Sequence, residues 1–122
     1  GVCFGLVRDV LIAGEGLETV LSIRTLLPWI PAVSALTADH LALLHLPLSL
    51  RRLYVALDND PAGDMAWATL SRIARAQGTA AFPLVAALDD WNGDLRRLGF
   101  AASRDRALAQ LRPEDIAPAL SL

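Results

Sequence analysis

The feature that most constrains the fold is an apolar run, Leu53–Leu57, which ends abruptly in two aspartates one residue apart. Strand-forming residues dominate this run, and Pro61 and Gly63 then open a helical pattern. A strand that is apolar along its whole length is usually covered on both faces, as in a parallel sheet flanked by helices. The sequence therefore predicts a strand over residues 52–58 and a helix from residue 61 to about residue 77.

The two aspartates that end this strand are Asp58 and Asp60. In parallel sheets, functional groups collect just beyond the carboxyl ends of the strands. Side chains at positions i and i+2 of an extended segment point the same way, so both carboxylates could aim at one point. Like charges so placed repel unless one is protonated or a cation lies between them, and oxygen ligands favour Mg²⁺ or Mn²⁺. The simpler alternative makes Asp60 a helix N-cap, with Pro61 at the first helical position, and Asp58 a solvated strand end.

Length and composition are typical of one soluble domain. The chain has 122 residues, 54% of them hydrophobic, which is enough to form a single core. No apolar stretch reaches the roughly 18 residues needed to span a bilayer, and no signal peptide opens the sequence. The single cysteine, Cys3, permits no internal disulfide and is expected to be a buried, inert thiol. We therefore expect a cytoplasmic protein without a membrane partner.

The charge balance restricts how the chain can bind nucleic acid. The formal net charge is −2, and all 11 cationic residues are arginines. This is not the profile of a domain that grips DNA or RNA by charge alone. Affinity for either would have to come through a metal ion or through other domains.

The rest of the sequence alternates between strand and helix patterns. Short strands over residues 2–7 and 10–14 are predicted to form a hairpin, with later strands over residues 32–36 and 79–88. Helical patterns cover residues 17–27, 38–45 and 103–112, with a short turn over 95–99 and a last turn from residue 113. His40 and His45 are five residues apart on a predicted helix, which is not metal-ligand spacing. The alternation predicts an α/β domain with a mainly parallel sheet.

Three predicted strands end in acidic residues: Glu15, the pair Asp58 and Asp60, and the pair Asp89 and Asp90. If the strands are parallel neighbours, these residues lie on one rim, where their repulsion calls for a divalent cation or a bound cationic group. Glycines flank Glu15 on both sides and allow a tight turn there. The helix that follows would offer amide donors to an anion, so a cation site and a phosphate site could adjoin.

Three segments together resemble one known family. They are Gly14-Glu15-Gly16-Leu17-Glu18-Thr19, Leu57-Asp58-Asn59-Asp60-Pro61-Ala62-Gly63 and Asp89-Asp90-Trp91-Asn92. In this order and strand context they resemble the Toprim domain, the module shared by bacterial DnaG-type primases, type IA and type II topoisomerases and some nucleases. The similarity covers about residues 8–98. It is closest to Toprim domains in primase-helicase-like proteins of plasmids, phages and integrated elements.

The resemblance implies a fold and a set of roles. Toprim domains have a Rossmann-like, mostly parallel four-stranded sheet between helices. By resemblance, Glu15 is the general acid/base, and Asp58, Asp60 and Asp90 bind Mg²⁺ or Mn²⁺. Primase-like members carry a Lys-Asp pair where this chain has Asp89 and Asp90, so a phosphate-binding lysine is replaced by an acid. Further candidate site residues are Glu18, Asp64 and Asp89 near the metal, and Arg51, Arg52, Arg96 and Arg97 for phosphate contacts.

Two alternative functions remain open at this point. A haloacid-dehalogenase-like phosphatase also ends a strand in Asp-x-Asp and would use Asp58 as a nucleophile. Such an enzyme normally needs a lysine or arginine to hold the phosphate, and lysine is absent from this chain. A Toprim module that has lost catalysis could serve as a docking part of a larger protein. A dinucleotide-binding fold is disfavoured, because Thr19 stands where its third glycine would be.

We therefore expect one Toprim-like domain over residues 1–122, with a core at about 8–98 and a C-terminal helical extension over 99–122, cut from a longer protein. Its expected function is Mg²⁺-dependent action on nucleic-acid phosphodiesters, as the catalytic module of a primase-type replication protein of a mobile element. DNA or RNA and, in addition, nucleotides are the expected partners.

Overall fold

A computed structural model describes residues 2–4, 9–14, 16–34 and 50–120 of the chain. The predicted helix over residues 38–45, with its two histidines, lies outside the described residues. Glu15 and the side chain of Cys3 also lie outside them. The architecture below is that of the described ranges.

A five-stranded sheet forms the centre of the fold. Its strands are β1 (Val2–Phe4), β2 (Val10–Gly14), β3 (Ala32–Ser34), β4 (Arg52–Leu57) and β5 (Ala80–Val85). Their order across the sheet is β1-β3-β2-β4-β5. Strands β2 to β5 pair in parallel, which confirms the predicted four-stranded parallel sheet.

The predicted hairpin between the first two strands is wrong. β1 pairs antiparallel with β3, at the edge of the sheet, and not with β2. The reason lies in β2, whose two edges are both occupied by parallel partners, β3 on one side and β4 on the other. No edge of β2 is left for the chain's first strand, although the two are close in sequence.

Helices connect and cover the strands. They are α1 (Leu17–Leu26), α2 (Pro61–Ala76), α3 (Trp91–Leu98), α4 (Phe100–Ala109) and α5 (Pro113–Leu120). The short turn predicted over residues 95–99 is wrong in extent, because Asp90 caps a helix that already begins at Trp91. Within the described ranges, none of these helices combines the length and hydrophobicity that crossing a membrane requires.

The sheet is buried on both faces, as the apolar run predicted. On one face Ile12, Tyr54 and Leu84 pack with Ile23 of α1 and Trp91 of α3. On the other face, residues of alternate parity on the same strands pack against the stripe of α2. These strand residues include Leu11, Leu53 and Val55, and they pack with Ala66 and Leu70 of α2. Because successive strand residues point to opposite faces, a strand with helices on both sides must be apolar throughout.

The C-terminal helix is attached to the beginning of β4 through Asp115. This carboxylate has a side-chain exposure of 3% and accepts hydrogen bonds of 2.8 Å from both Nε and Nη2 of Arg52. The hydroxyl of Tyr54 also donates to it, and Trp29 Nε1 donates to the Asp115 carbonyl at 2.7 Å. Burial, followed by this bond to Asp115, raises the pKa of Tyr54. The buried charge is thus fully compensated, which is the condition for its stability.

We predict that Asp115→Ala strongly destabilises the domain. The substitution leaves Arg52 without its carboxylate in a largely buried position, and breaking such a pair costs about 3–5 kcal/mol. Urea unfolding followed by circular dichroism measures the loss. The neighbouring Glu114→Ala is the matched control: Glu114 is 54% exposed and lies 4.0 Å from Arg112, so its removal should cost less than about 0.5 kcal/mol. Equal losses in the two variants would contradict the assigned role of Asp115.

Candidate functional site

Parallel pairing brings the carboxyl ends of three strands to one edge of the sheet. Gly14 at the end of β2 pairs with Ala56 of β4, and Leu57 pairs with Val85 of β5. The residues that follow these strands therefore lie side by side. We call the group Asp58, Asp60, Asp89 and Asp90 the acidic edge. Glu15 directly follows Gly14 in sequence, but its placement is outside the described residues.

Asp58 is half-buried at the centre of the acidic edge. Its Oδ1 accepts a hydrogen bond of 3.1 Å from the hydroxyl of Thr19, in the first turn of α1. Burial raises the pKa of Asp58, the bond from Thr19 lowers it, and the charges of Asp60 and Asp90 raise it further, with a net upward shift. The structure therefore does not support the interpretation of Asp58 as a solvated strand end. The carboxylates of Asp60 and Asp90 are close enough to Asp58 to oppose its ionisation.

Asp60 and Asp90 hold equivalent positions at the starts of two helices. Asp60 Oδ1 accepts from Gly63 N at 2.7 Å at the start of α2. Asp90 Oδ1 accepts from Gly93 N at 2.6 Å at the start of α3. The simpler alternative, that Asp60 is an N-cap, is thus confirmed. Because a cap needs only one carboxylate oxygen, the Oδ2 atom of each residue takes no part in it, and capping and metal binding are compatible.

A glycine allows α2 to begin directly against the end of β4. A Cβ atom at Gly63 would lie 2.1 Å from the carbonyl oxygen of Asp58, far inside van der Waals contact. The backbone is further compacted by a 2.9 Å hydrogen bond from Asp60 N to Asp58 O. The glycine two residues after Pro61 is therefore required for Asp58 and Asp60 to sit on the same tight turn.

Two residues that the sequence analysis did not single out hold the acid-bearing loops. Asn59 donates from its backbone N to Asp89 O at 2.8 Å and from its side chain to the carbonyls of Ala86 and Leu88. Asp94 is fully buried and accepts from Ala87 N and Leu88 N, both at 2.7 Å. No sequence signal separates Asp94 from the other acids that follow β5. For Asn59, the available signal was a neutral amide placed between two carboxylates.

A cleft of about 420 Å³ adjoins the acidic edge. It is lined by Glu18, Leu88, Asp89, Asp90, Asn92, Gly93, Arg96 and Arg97. This volume is within the range of about 300–1,000 Å³ that is typical of small-molecule sites. The fold thus brings the predicted residues Glu18, Arg96 and Arg97 to the acidic edge, and it places both cationic and anionic side chains around one cleft.

Two predicted phosphate contacts are not brought to this edge. Arg51 and Arg52 lie at the beginning of β4, and six strand residues span about 20 Å. Arg52 is moreover engaged with Asp115 at that end. These two arginines are therefore poorly placed for the phosphate contacts that the sequence analysis assigned to them. Asp64 is exposed in the first turn of α2, with its backbone N donating to Asp60 O at 3.2 Å.

The donor set of the acidic edge fits a hard divalent cation. Among the residues that the structure describes, no three histidine, cysteine or acidic side chains meet in a ready-made metal site. Nevertheless, Asp58, Asp60 and Asp90 supply oxygen atoms only, and the charges of Asp60 and Asp90 contribute to the raised pKa of Asp58. Oxygen-only donor sets select Mg²⁺ or Mn²⁺, and a cation would relieve the repulsion.

Comparison with known protein families gives one match. The sequence profile of the Toprim domain matches residues 10–101, from β2 into α4, and so includes every residue of the acidic edge. A search of curated proteins found no match. The predicted resemblance to Toprim domains is thereby confirmed, whereas no relative supports the closer relationship to plasmid and phage primase-helicase proteins.

We predict that Asp58→Asn stabilises the metal-free domain at neutral pH. The folded-state pKa of Asp58 is raised, so the folded protein holds this proton more tightly than the unfolded chain does. The free energy of unfolding therefore increases as the pH falls through the window between the two pKa values. Above that window, ionised Asp58 destabilises the folded domain. Asparagine keeps an oxygen acceptor for Thr19 and removes the charge.

The measurement is urea unfolding in EDTA between about pH 4 and pH 8. The variant should be more stable than the wild type near neutral pH, and its free energy of unfolding should increase less than that of the wild type as the pH is lowered. Asp105→Asn, an exposed acid on α4, is the control and should reproduce the wild-type profile. A less stable Asp58→Asn protein at neutral pH would contradict the prediction.

Proposed function

The chain belongs to the Toprim domain family, and from this premise we propose that it is the Mg²⁺-dependent module of a primase-type replication protein of a mobile element. Toprim domains are metal-dependent modules that act on nucleic acids, in primases, topoisomerases and nucleases. The observation that carries the proposal is geometric: the parallel pairing of β4 with β5 and the 2.8 Å hydrogen bond from Asn59 N to Asp89 O bring the two acid-bearing loops together.

In this proposal Asp58, Asp60 and Asp90 hold one or two Mg²⁺ or Mn²⁺ ions. A bound ion would neutralise developing negative charge on a phosphodiester and orient it. The protein's own contribution is to hold three mutually repelling carboxylates in place, through the caps of α2 and α3 and the bond from Thr19. Glu15 is assigned the general acid/base role on the strength of its motif, with Glu18 and Asp89 as further acids beside the metal.

Arg96 and Arg97 are proposed to contact phosphate groups. They lie in the last turn of α3 and line the cleft beside Asp89 and Asp90. Asp89 occupies the position at which primase-like relatives carry a lysine. The two guanidinium groups would therefore replace the missing cation, with the planar donor geometry that phosphate recognition favours.

The rest of the full protein is proposed to provide additional nucleic-acid affinity. With a net charge of −2, this domain alone attracts neither DNA nor RNA over a distance. Residues 1–122 are accordingly proposed to be one domain of a longer chain, with nucleotides as further ligands. The family match favours this function over a haloacid-dehalogenase-like phosphatase, and a Toprim module without catalysis is the remaining alternative.

We predict that Mg²⁺ or Mn²⁺ raises the thermal stability of the wild type and that Asp58→Asn/Asp60→Asn abolishes the effect. A ligand at 100 times its dissociation constant stabilises a protein by about 2.7 kcal/mol. Asparagine is as good an N-cap as aspartate, so Asp60→Asn and Asp90→Asn separate metal binding from capping. Asp105→Asn should respond to metal as the wild type does.

A wild type that is indifferent to both ions would overturn the proposal in favour of the docking module. If the ions bind, a template without primer and a labelled oligonucleotide are each incubated with the wild type and with the double variant. Extension of the first, in the presence of nucleotides, supports primer synthesis. Cleavage of the second supports a nuclease.

We predict that Arg96→Ala/Arg97→Ala weakens binding of a single-stranded oligonucleotide in Mg²⁺. If both arginines contact phosphates, the slope of log affinity against log salt should fall by about 1 to 1.5. Fluorescence anisotropy at several salt concentrations gives this slope. Arg72→Ala/Arg75→Ala removes the same charge from exposed positions of α2 and should leave the slope nearly unchanged. Equal effects of the two double variants would exclude a specific role for the α3 arginines.

A further inference from the structure

We propose that Asn59 is a positioning residue, which fixes the separation between the Asp58/Asp60 turn and Asp90 and thereby sets the affinity of the acidic edge for a divalent cation. This inference rests on the proposed metal-binding function. It goes beyond that function because it assigns the geometry of the site to a residue that carries no charge.

The hydrogen bonds of Asn59 all run from one acid-bearing loop to the other. Its side-chain amide nitrogen donates to Ala86 O at 3.1 Å and to Leu88 O. Its backbone N donates to Asp89 O at 2.8 Å, on the residue directly before Asp90. An amide nitrogen has two donor hydrogens, and both are directed at carbonyls of the β5 loop. An exposed asparagine with no role beyond solubility would have no reason to place its side-chain amide on two carbonyls of the neighbouring loop.

The receiving loop is itself fixed from the other side. Asp94 accepts from the backbone N of Ala87 and of Leu88, while Asn59 binds the carbonyl of Leu88. The peptide groups around Leu88 are thus held through their N–H by one side chain and through their C=O by another. Because α3 begins at Trp91, directly after this loop, the bonds of Asn59 determine where its cap, Asp90, lies relative to β4.

Charge explains why an asparagine suits this position. The two loops carry carboxylates that repel each other, so without a tether they would tend to separate when no cation is bound. A neutral amide can donate to carbonyls without adding to the repulsion. An aspartate at this position would place a negative charge against two carbonyl oxygens, which repel it. It would also add a third acid to the Asp58–Asp60 turn.

The test compares the Mg²⁺ and Mn²⁺ affinities of wild type, Asn59→Ala and the isosteric Asn59→Asp by calorimetric titration. Loss of a side chain that orients metal ligands typically weakens metal binding about 10- to 100-fold, and we expect that range for Asn59→Ala. Circular dichroism and urea unfolding of the metal-free proteins verify that each variant is folded. Thr79→Val is the matched control: it loses a 2.9 Å side-chain bond to Leu50 O at the opposite edge of the sheet and should bind metal as the wild type does.

A double-mutant cycle with Asp90→Asn separates positioning from general destabilisation. If Asn59 acts by placing Asp90, then Asp90→Asn should weaken metal binding less in the Asn59→Ala background than in the wild type. The inference would be overturned if both Asn59 variants bound metal as tightly as the wild type, or if Asn59→Ala and Thr79→Val lost the same metal affinity. It would also be overturned if the losses of metal affinity from Asn59→Ala and Asp90→Asn simply multiplied in the double variant. If the wild type itself binds neither ion, the proposed function fails and this inference fails with it, which is a different result from metal binding that is insensitive to Asn59.

Discussion

The parallel pairing of β4 with both of its neighbours is the constraint on which the rest of the structure depends. Because β2, β4 and β5 run in the same direction, their carboxyl ends share one edge. Residues separated by more than thirty positions in the chain, such as Asp58 and Asp90, then act on one another. An antiparallel neighbour would have sent its carboxyl end to the opposite edge, and no group of carboxylates could have formed.

The acidic edge shows how a fold can hold like charges together through hydrogen bonds to helix starts and to a neighbouring hydroxyl. Asp60 and Asp90 each give one oxygen to a helix N-terminus, where the first-turn amides and the helix dipole favour negative charge. Asp58 accepts a hydrogen bond from Thr19, and its pKa is raised first by burial and then by the charges of Asp60 and Asp90. Folding therefore uses part of each carboxylate and leaves the rest available for chemistry.

The two ends of β4 have opposite electrostatic character. At its beginning, Arg52 and Asp115 form a compensated ion pair that attaches α5 to the sheet. At its end, acids accumulate that no described ion pair neutralises. A structural ion pair thus lies at the first end, and the proposed function at the second. This separation also explains why Arg52, although close to the Asp-x-Asp motif in sequence, is not part of the site.

The sequence by itself determined the fold class, the central strand and the acidic character of its end. These properties follow from local patterns: an apolar run long enough for a buried strand, a proline and a glycine that begin a helix, and repeated acids after strands. It did not determine the partner of β1, the start of α3 at Trp91 or the roles of Asn59, Asp94 and Asp115. Those features depend on which strand edges are free to pair and on which backbone carbonyls lie within reach of which hydrogen-bond donors. Only the tertiary structure decides these, because the groups involved are distant in the chain and meet only when the sheet is complete.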